Sequence, residues 1–427
     1  MADLAVVGLG PVGLATSIAF ATEGHQVVGV EVDAKRLSAV ARGDPPFYEE
    51  GMKEALQAVQ EKGTFDVTDS ATEAMRIAQI AFLCVGTPSR PDGSMDDRPI
   101  RGATQNIAED LGAGSPTLVV VKSTVVPGTT ERVIRPILEA AGAPFHLGVN
   151  PEFLREGQAM AGALHPDRIV LGSDAPETAA RLRELYSEAD CPIVETDLRT
   201  AETIKYATNA FLATKVAFAN EMADICSALG VSYEEVMDAA SLDPRISPLF
   251  LVPGVGFGGS CFPKDVRAFV SASRAVGETP LLLEAVLAQN ADQYLRAVDL
   301  LQEELGELQG RRIALLGLAF KGGTDDVRES RAVPIARTLQ ERGSKVVGYD
   351  PVANEAFAQV LPEVPLVNSA KEALNGADGC ILQADWREFG ELTAEDFVKG
   401  MKTPVVVDGR RILDPAKMAG VRFRRIG

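Results

Sequence analysis

The chain has 427 residues, 46% of them hydrophobic, and a formal net charge of -18. That length and hydrophobic content suit two or three cores, and the acid excess excludes the basic footprint that non-specific nucleic-acid binding needs. No run approaches the roughly 18 apolar residues of a membrane span, and the opening MADLAVVGLGP reads as a strand entering a glycine turn, so a cytoplasmic protein without a leader is expected. The five cysteines, Cys84, Cys191, Cys226, Cys261 and Cys380, lack CxxC or His-paired spacing, which points away from a disulfide framework and from a metal site.

In chain order, an apolar run at Leu4 to Val7 leads into Gly8, Gly10 and Gly13, then an amphipathic helical pattern, then a second apolar run, Gln26 to Val30, ending in Glu31. A Rossmann dinucleotide site requires this order: Gly8 for the tight turn, Gly10 for approach to a pyrophosphate, Gly13 for helix–strand packing. Glu31 stands where a carboxylate accepts from the adenosine ribose hydroxyls, which favours NAD over NADP. Apolar runs at Ile80 to Val85, Thr117 to Val121, Phe145 to Val149, Ile169 to Leu171 and Ile193 to Val194 extend a parallel sheet to about residue 197.

From Arg199 to Leu229 the spacing is that of one long helix spanning roughly 45 Å, suited to joining domains and packing on a partner subunit. A second helical stretch covers about Thr279 to Leu305. After Gly310 the amino-terminal pattern returns: RRIALLGLAF enters a glycine turn, GSKVVGYDP echoes GHQVVGVEVD, and strands follow at Gly379 to Gln383 and Pro404 to Asp408. The expected fold is α/β, with two Rossmann-like doubly wound parallel-sheet domains, 1–198 and 306–427, joined by a long central helix and a helical middle domain, 199–305. A cleft between the lobes is the expected place for chemistry.

GVGFGGSCFPKD, residues 254 to 265, sets Cys261 beside glycines and charges that a structural cysteine does not need. A thiolate attacks best near a cation or a helix amino terminus, with small residues clearing the approach. Gly256, Gly258 and Gly259 fit the second requirement, Lys264 the first, and Asp265 supplies a carboxylate. The other four cysteines read as buried packing residues. A reactive thiol beside an NAD site suggests oxidation through a thiohemiacetal to a thioester, which water hydrolyses to an acid.

In their order along the chain, GLGPVGL, KSTVVPGT, NPEFLREG, KYATNAFLATKVAFANE, GFGGSCFPKD, GLAFKGGTDDVRES and DGRRILDP resemble the UDP-glucose/GDP-mannose dehydrogenase family, nearly end to end. The resemblance implies two NAD-dependent oxidations at C6 of a nucleotide-linked hexose, with release of two NADH. It makes Cys261 the nucleophile, Lys205 and Asn209 the pair that stabilises oxyanion character at C6, Asp265 a water or proton-relay carboxylate, and Thr124 and Glu152 the residues that position water. For the cofactor it implies Gly8, Gly10, Gly13, Glu31, Arg36, Thr87, Thr124, Glu156, Lys264 and Arg328. For the substrate it implies Glu152, Phe153, Leu154, Lys205, Asn209, Arg245, Phe250, Gly258, Lys321 and Arg410, with Arg411 an alternative to Arg410 and Arg245 reaching a neighbouring subunit. The chain departs from the pattern at Glu31, where Asp is commoner, at Pro11, where an aromatic is usual, and at Gly322 and Gly323.

GFGGSCFPKD, HPDRIVLG and KYATNAFLATK look like the UDP-glucose branch, whereas CVGTPSRPDG and FKGGTDD look like the GDP-mannose branch. The resemblance therefore implies UDP-glucose oxidised to UDP-glucuronate, with GDP-mannose or a dTDP-glucose as the alternative. A simple two-electron dehydrogenase and a catalytically silent NAD- or nucleotide-sugar-binding protein are the readings from other classes. A homodimer or higher homo-oligomer is expected.

Overall fold

The computed structural model describes residues 1–111 and 117–427. They group into two compact units, Met1–Thr208 with Arg267–Gly277, and Asn209–Val266 with Glu278–Gly427. The central helix, Leu198–Leu229, is continuous over 32 residues and passes from the first unit into the second.

In the first unit the strands are β1 (Asp3–Val7), β2 (Gln26–Val30), β3 (Phe65–Thr68), β4 (Ile80–Leu83), β5 (Thr117–Val121), β6 (Phe145–Val149), β7 (Ile169–Ser173) and β8 (Ile193–Thr196). They form one sheet in the order β3-β2-β1-β4-β5-β6-β7-β8, with the reversal of strand order between β1 and β4 that creates a ligand crevice at the strands' carboxyl ends. Strand side chains alternate between faces, and here both faces are apolar. Leu4 and Val6 enter one core with Leu14 and Ile18 of the first helix, Pro11–Thr22. Ala5 and Val7 enter the other with Ile100 and Ile107. Helices therefore cover both sides of the sheet, as the near-continuous apolar strands require.

The sheet departs from the expected all-parallel run at one junction. β7 pairs with β6 antiparallel, through Gly148 with Ser173 and Val149 with Gly172, and β8 then runs parallel to β7. The connection from β6 to β7 holds only the six-residue helix Ala159–Leu164, and the chain returns directly along its neighbour, which an antiparallel pair permits.

The second unit has β9 (Arg312–Leu316), β10 (Lys345–Tyr349), β11 (Gly379–Leu382), β12 (Val405–Asp408) and β13 (Arg422–Arg425), all parallel, in the order β10-β9-β11-β12-β13. Ile313 and Leu315 face one core, Ala314 and Leu316 the other. The helical stretch expected at Thr279 to Leu305 is two helices, Leu281–Asp292 and Leu295–Leu305. Near the break, Asn290 accepts from the Phe257 amide at 2.7 Å and donates to its carbonyl at 3.0 Å, while Gln293 donates to the Gly254 carbonyl at 3.0 Å. These amides brace the cysteine loop.

Candidate active site

The glycine turn after β1 is shaped by close contacts. Gly8 has φ +95°, and its amide donates to the Val30 carbonyl at 2.8 Å. A Cβ on Gly13 would lie 1.8 Å from the Gly8 carbonyl oxygen, so glycine lets the helix start tight against the strand. A Cβ on Gly10 would meet nothing within 4 Å, which leaves the turn open at the amino end of the helix, with Pro11 in its first turn. Glu31 is buried, and its two carboxylate oxygens accept from the Leu9 amide at 3.1 Å and the Asp33 amide at 2.9 Å. Arg36 Nη1 lies 3.9 Å from it. Thr87 donates to the Thr124 carbonyl at 2.7 Å, tying the loop after β4 to the loop after β5. An open turn, amides at a helix start and an acid at the end of β2 fit a dinucleotide.

A second group of the first unit is built on the central helix and on the loop after β6. Lys205 Nζ lies 2.8 Å from Glu152 Oε1, with both side chains nearly inaccessible to solvent. The other Glu152 oxygen accepts from the Leu154 amide at 2.6 Å. Burial raises the Glu152 carboxyl, but Lys205, by attraction and by direct hydrogen bond, the Leu154 amide and Lys122 together hold it below the ordinary range. Phe153 has Lys205 Nζ 5.5 Å and Arg168 Cζ 3.9 Å from its ring centroid. Glu156 is half-buried, on the turn that follows.

In the second unit Cys261 is exposed and immediately precedes the helix Phe262–Ala275, and its carbonyl accepts from the Asp265 amide at 2.8 Å. Backbone amides at a helix start favour negative charge at the sulfur. Ser260 Oγ is 3.6 Å from Cys261 Sγ. Asp265 is buried; one oxygen accepts from Asn209 Nδ2 at 2.7 Å and the other from Lys264 Nζ at 2.6 Å.

The loop's glycines answer close contacts within the second unit. A Cβ on Gly256 would lie 2.7 Å from Asn290 Oδ1, on Gly258 2.3 Å from the Glu329 carbonyl oxygen, and on Gly259 2.7 Å from the Phe320 ring. Their missing side chains let the loop pack closely against its own unit. Phe250, at φ +64°, has its ring 6.3 Å from that of Phe262.

The outlying cations are dispersed over the second unit. Arg245 chelates Asp243, and its side chain is 87% exposed. Arg328 chelates Asp326 in the same way. Lys321 Nζ lies 5.6 Å from the Phe320 ring centroid. Arg410 donates to three carbonyls, of Gln383 at 2.6 Å, Phe320 at 2.9 Å and Gly256 at 3.2 Å. Arg411 holds the carbonyls of Ile426 and Gly427 and pairs with Glu234.

The structure thus gathers Glu152, Phe153 and Lys205 in the first unit, and Asn209, Lys264 and Asp265 in the second. The central helix carries Lys205 and Asn209 one turn apart. Three side chains at these groups escaped the sequence reading. Lys122 Nζ donates to Asn150 Oδ1 at 2.8 Å, and Glu202, on the central helix, accepts from the amides of Gly128 and Thr130. The one available signal was a lysine closing the otherwise apolar TLVVV strand.

Three family models cover most of the chain. The NAD binding domain of the UDP-glucose/GDP-mannose dehydrogenase family matches residues 2–190, its central domain 199–292 and its UDP binding domain 314–415. A UDP-glucose 6-dehydrogenase of Haloferax volcanii is 41% identical over 422 residues, covering 96% of this chain and 97% of its own. A UDP-glucose dehydrogenase structure from Pyrobaculum islandicum superposes with a TM-score of 0.93 at 41% identity, over 99% of this chain and 97% of that one. A UDP-D-ManNAc dehydrogenase from Pyrococcus horikoshii does so with a TM-score of 0.88 at 29% identity, over 99% and 98%. With an open dinucleotide turn in its first sheet and family matches from one end to the other, the chain belongs to the UDP-glucose/GDP-mannose dehydrogenase family and is an NAD-dependent nucleotide-sugar dehydrogenase.

Proposed function

We propose that the chain oxidises C6 of UDP-glucose from alcohol to carboxylate, giving UDP-glucuronate. Full-length similarity to UDP-glucose 6-dehydrogenases supports the substrate. The observation that carries the chemistry is an exposed thiol at a helix start, beside a buried Asn209–Asp265 pair that the part-buried Lys264 joins.

NAD supplies the hydride acceptor for both oxidations. In the first, C6 loses a hydride and the hydroxyl loses its proton, with Lys205 and Asn209 stabilising the developing oxyanion. The Cys261 thiolate then adds to the aldehyde carbon, and the carbonyl oxygen takes up a proton, giving a thiohemiacetal. Loss of a second hydride and that proton leaves a thioester. Water held by Thr124, Glu152 and Asp265 attacks it, the C–S bond breaks and the thiolate is regenerated. The sum is one alcohol, two NAD+ and one water converted to one carboxylate, two NADH and three protons.

The reading includes the remaining cofactor and substrate contacts set out from the resemblance, and a homodimer. Phe211, Phe218, Ile225 and Leu229 are exposed on the central helix at spacings of seven, seven and four, an apolar stripe suited to a second copy.

NADH formed per mole of limiting UDP-glucose tests the proposal, with UDP-N-acetylmannosamine and GDP-mannose run in parallel. Two equivalents with UDP-glucose, and no acid product from Cys261→Ala, are expected. Two equivalents only with another sugar would move the substrate, and one equivalent unaffected by loss of the thiol would end the thioester route.

A further inference from the structure

The motif HPDRIVLG, residues 165–172, leads into β7, and its Arg168 stands just before the first strand residue, Ile169. The antiparallel entry of β7 decides where that side chain goes. With Val149 opposite Gly172, the start of β7 runs past the end of β6, and the same register carried on by four residues sets Arg168 opposite Phe153. There the half-buried arginine touches both elements that hold the Glu152–Lys205 pair. Its guanidinium carbon lies over the Phe153 ring, 3.9 Å from the centroid, which is contact between a cation and an aromatic face. Its Nη2 donates to the Thr208 hydroxyl oxygen at 3.3 Å. That hydroxyl donates its own proton to the Ile204 carbonyl at 2.8 Å, so its oxygen is left to accept. Phe153 directly follows Glu152, and Thr208 lies one turn beyond Lys205 on the same face of the central helix. The Lys205 ammonium sits 2.8 Å from Glu152 and 5.5 Å from the centroid of the ring that Arg168 covers.

We propose that Arg168 is a positioning residue for the oxidation: seated on Phe153 and bonded to Thr208, its guanidinium ties the loop after β6 to the central helix and so fixes where Glu152 and Lys205 stand. This rests on the roles given above to that pair, water for Glu152 and the C6 oxyanion for Lys205. Their ion pair sets a distance but not a direction, because an ammonium is a point charge that can pivot about a carboxylate. A guanidinium presents a face to a ring and N–H edges to an acceptor at the same time, which holds two elements in one orientation. Phe153 and Ile204 both pack against the core that contains Val149 and Val170, so the ring and the helix rest on one apolar base while Arg168 spans them. The reaction needs both groups in place as charge develops at C6, and a misplacement of about 1 Å can cost roughly a hundredfold in rate.

The test is kcat and KM for NADH formation from UDP-glucose by wild type, Arg168→Met, Thr208→Val and the double variant, with Glu152→Gln and Lys205→Met as references. Arg168→Met keeps an apolar stem but loses the cation and its donors, and should lower kcat about tenfold with NAD affinity unchanged. Thr208→Val removes the acceptor alone and should lower kcat about threefold. The double variant should lose no more than Arg168→Met, because both changes break one clip; additive losses would overturn it. Wild-type kcat in Arg168→Met, with both reference variants inactive, overturns the proposal alone. Full activity in Glu152→Gln and Lys205→Met instead removes the roles of the pair, and the clip's purpose with them. Arg168 also lines, with Glu152, Phe153 and Leu154, a cleft of about 870 Å³ in the first unit. A raised KM for UDP-glucose at unchanged kcat would make it a substrate contact there and end the positioning role. Should Arg168→Met not melt cooperatively, Thr208→Val decides, and wild-type kcat in that variant is the overturning result.

Discussion

The two Rossmann-like lobes begin alike and end differently. Gly8 and Gly317 both have positive φ, at +95° and +92°, and each donates its amide at 2.8 Å to the last carbonyl of the neighbouring strand, Val30 or Tyr349. Each lobe then places an acid just after that strand. Glu31 accepts two backbone amides, from Leu9 and Asp33. Asp350 accepts five donors: the amides of Leu318, Ala319, Val352 and Ala353 and the Trp386 indole. In the first lobe the turn runs straight into the helix at Pro11, whereas in the second no helix follows until Ala332. The intervening loop supplies Phe320 and Glu329, against which the cysteine loop packs, and the carbonyl of Phe320 for Arg410. One frame thus serves two ends, a turn left open for a cofactor and a turn closed by the protein's own donors.

The strongest challenge to the closed turn is Arg410→Ala. It strips three part-buried carbonyls of a charged donor and should destabilise the protein by about 2 kcal/mol, read by urea unfolding, with loss of turnover. A change below about 0.5 kcal/mol, the scatter of ordinary surface substitutions, would mean that the guanidinium is not a clip. Gly13→Ala tests the open turn. Its Cβ must displace the Gly8 carbonyl, and NAD affinity should fall by about 3 kcal/mol, roughly a hundredfold in Kd by calorimetry. The matching change in the second lobe, Gly322→Ala, should leave NAD affinity alone; an equal loss there would erase the distinction. Trp386→Phe keeps a ring but removes the indole donor to Asp350. A cost of about 1 kcal/mol without change in NAD affinity is expected, and an increase in nucleotide binding by the second lobe would show that Trp386 had occupied a usable site.

The open turn was the easier half to read. GLGPVG announces itself because each glycine answers a contact that no side chain permits, and the strands announce themselves because both faces are buried. β3 and β13 were not legible. FDVT is short, and RFRR is an arginine-rich edge strand whose charges are answered by Glu303 and Glu304 far back in the sequence. The antiparallel entry of β7 was hidden because apolar runs carry no direction. Within the candidate site, Cys261, Lys205, Asn209 and Asp265 stood out through motif position. Lys122 and Asn150 were missed because their hydrogen bond spans 28 residues, and the clip role of Arg410 was missed because its partners are carbonyls, which every residue has.

The Arg410 clip also has a bearing on how the chain comes together. Gly256, in the loop that carries the thiol, finds its guanidinium partner 154 residues later. In a chain made from the amino end, Cys261 emerges long before the group that seats its loop. The second lobe is therefore also a timing device: the loop that carries Cys261 gains this clip only once β12 and the turn after it have been made.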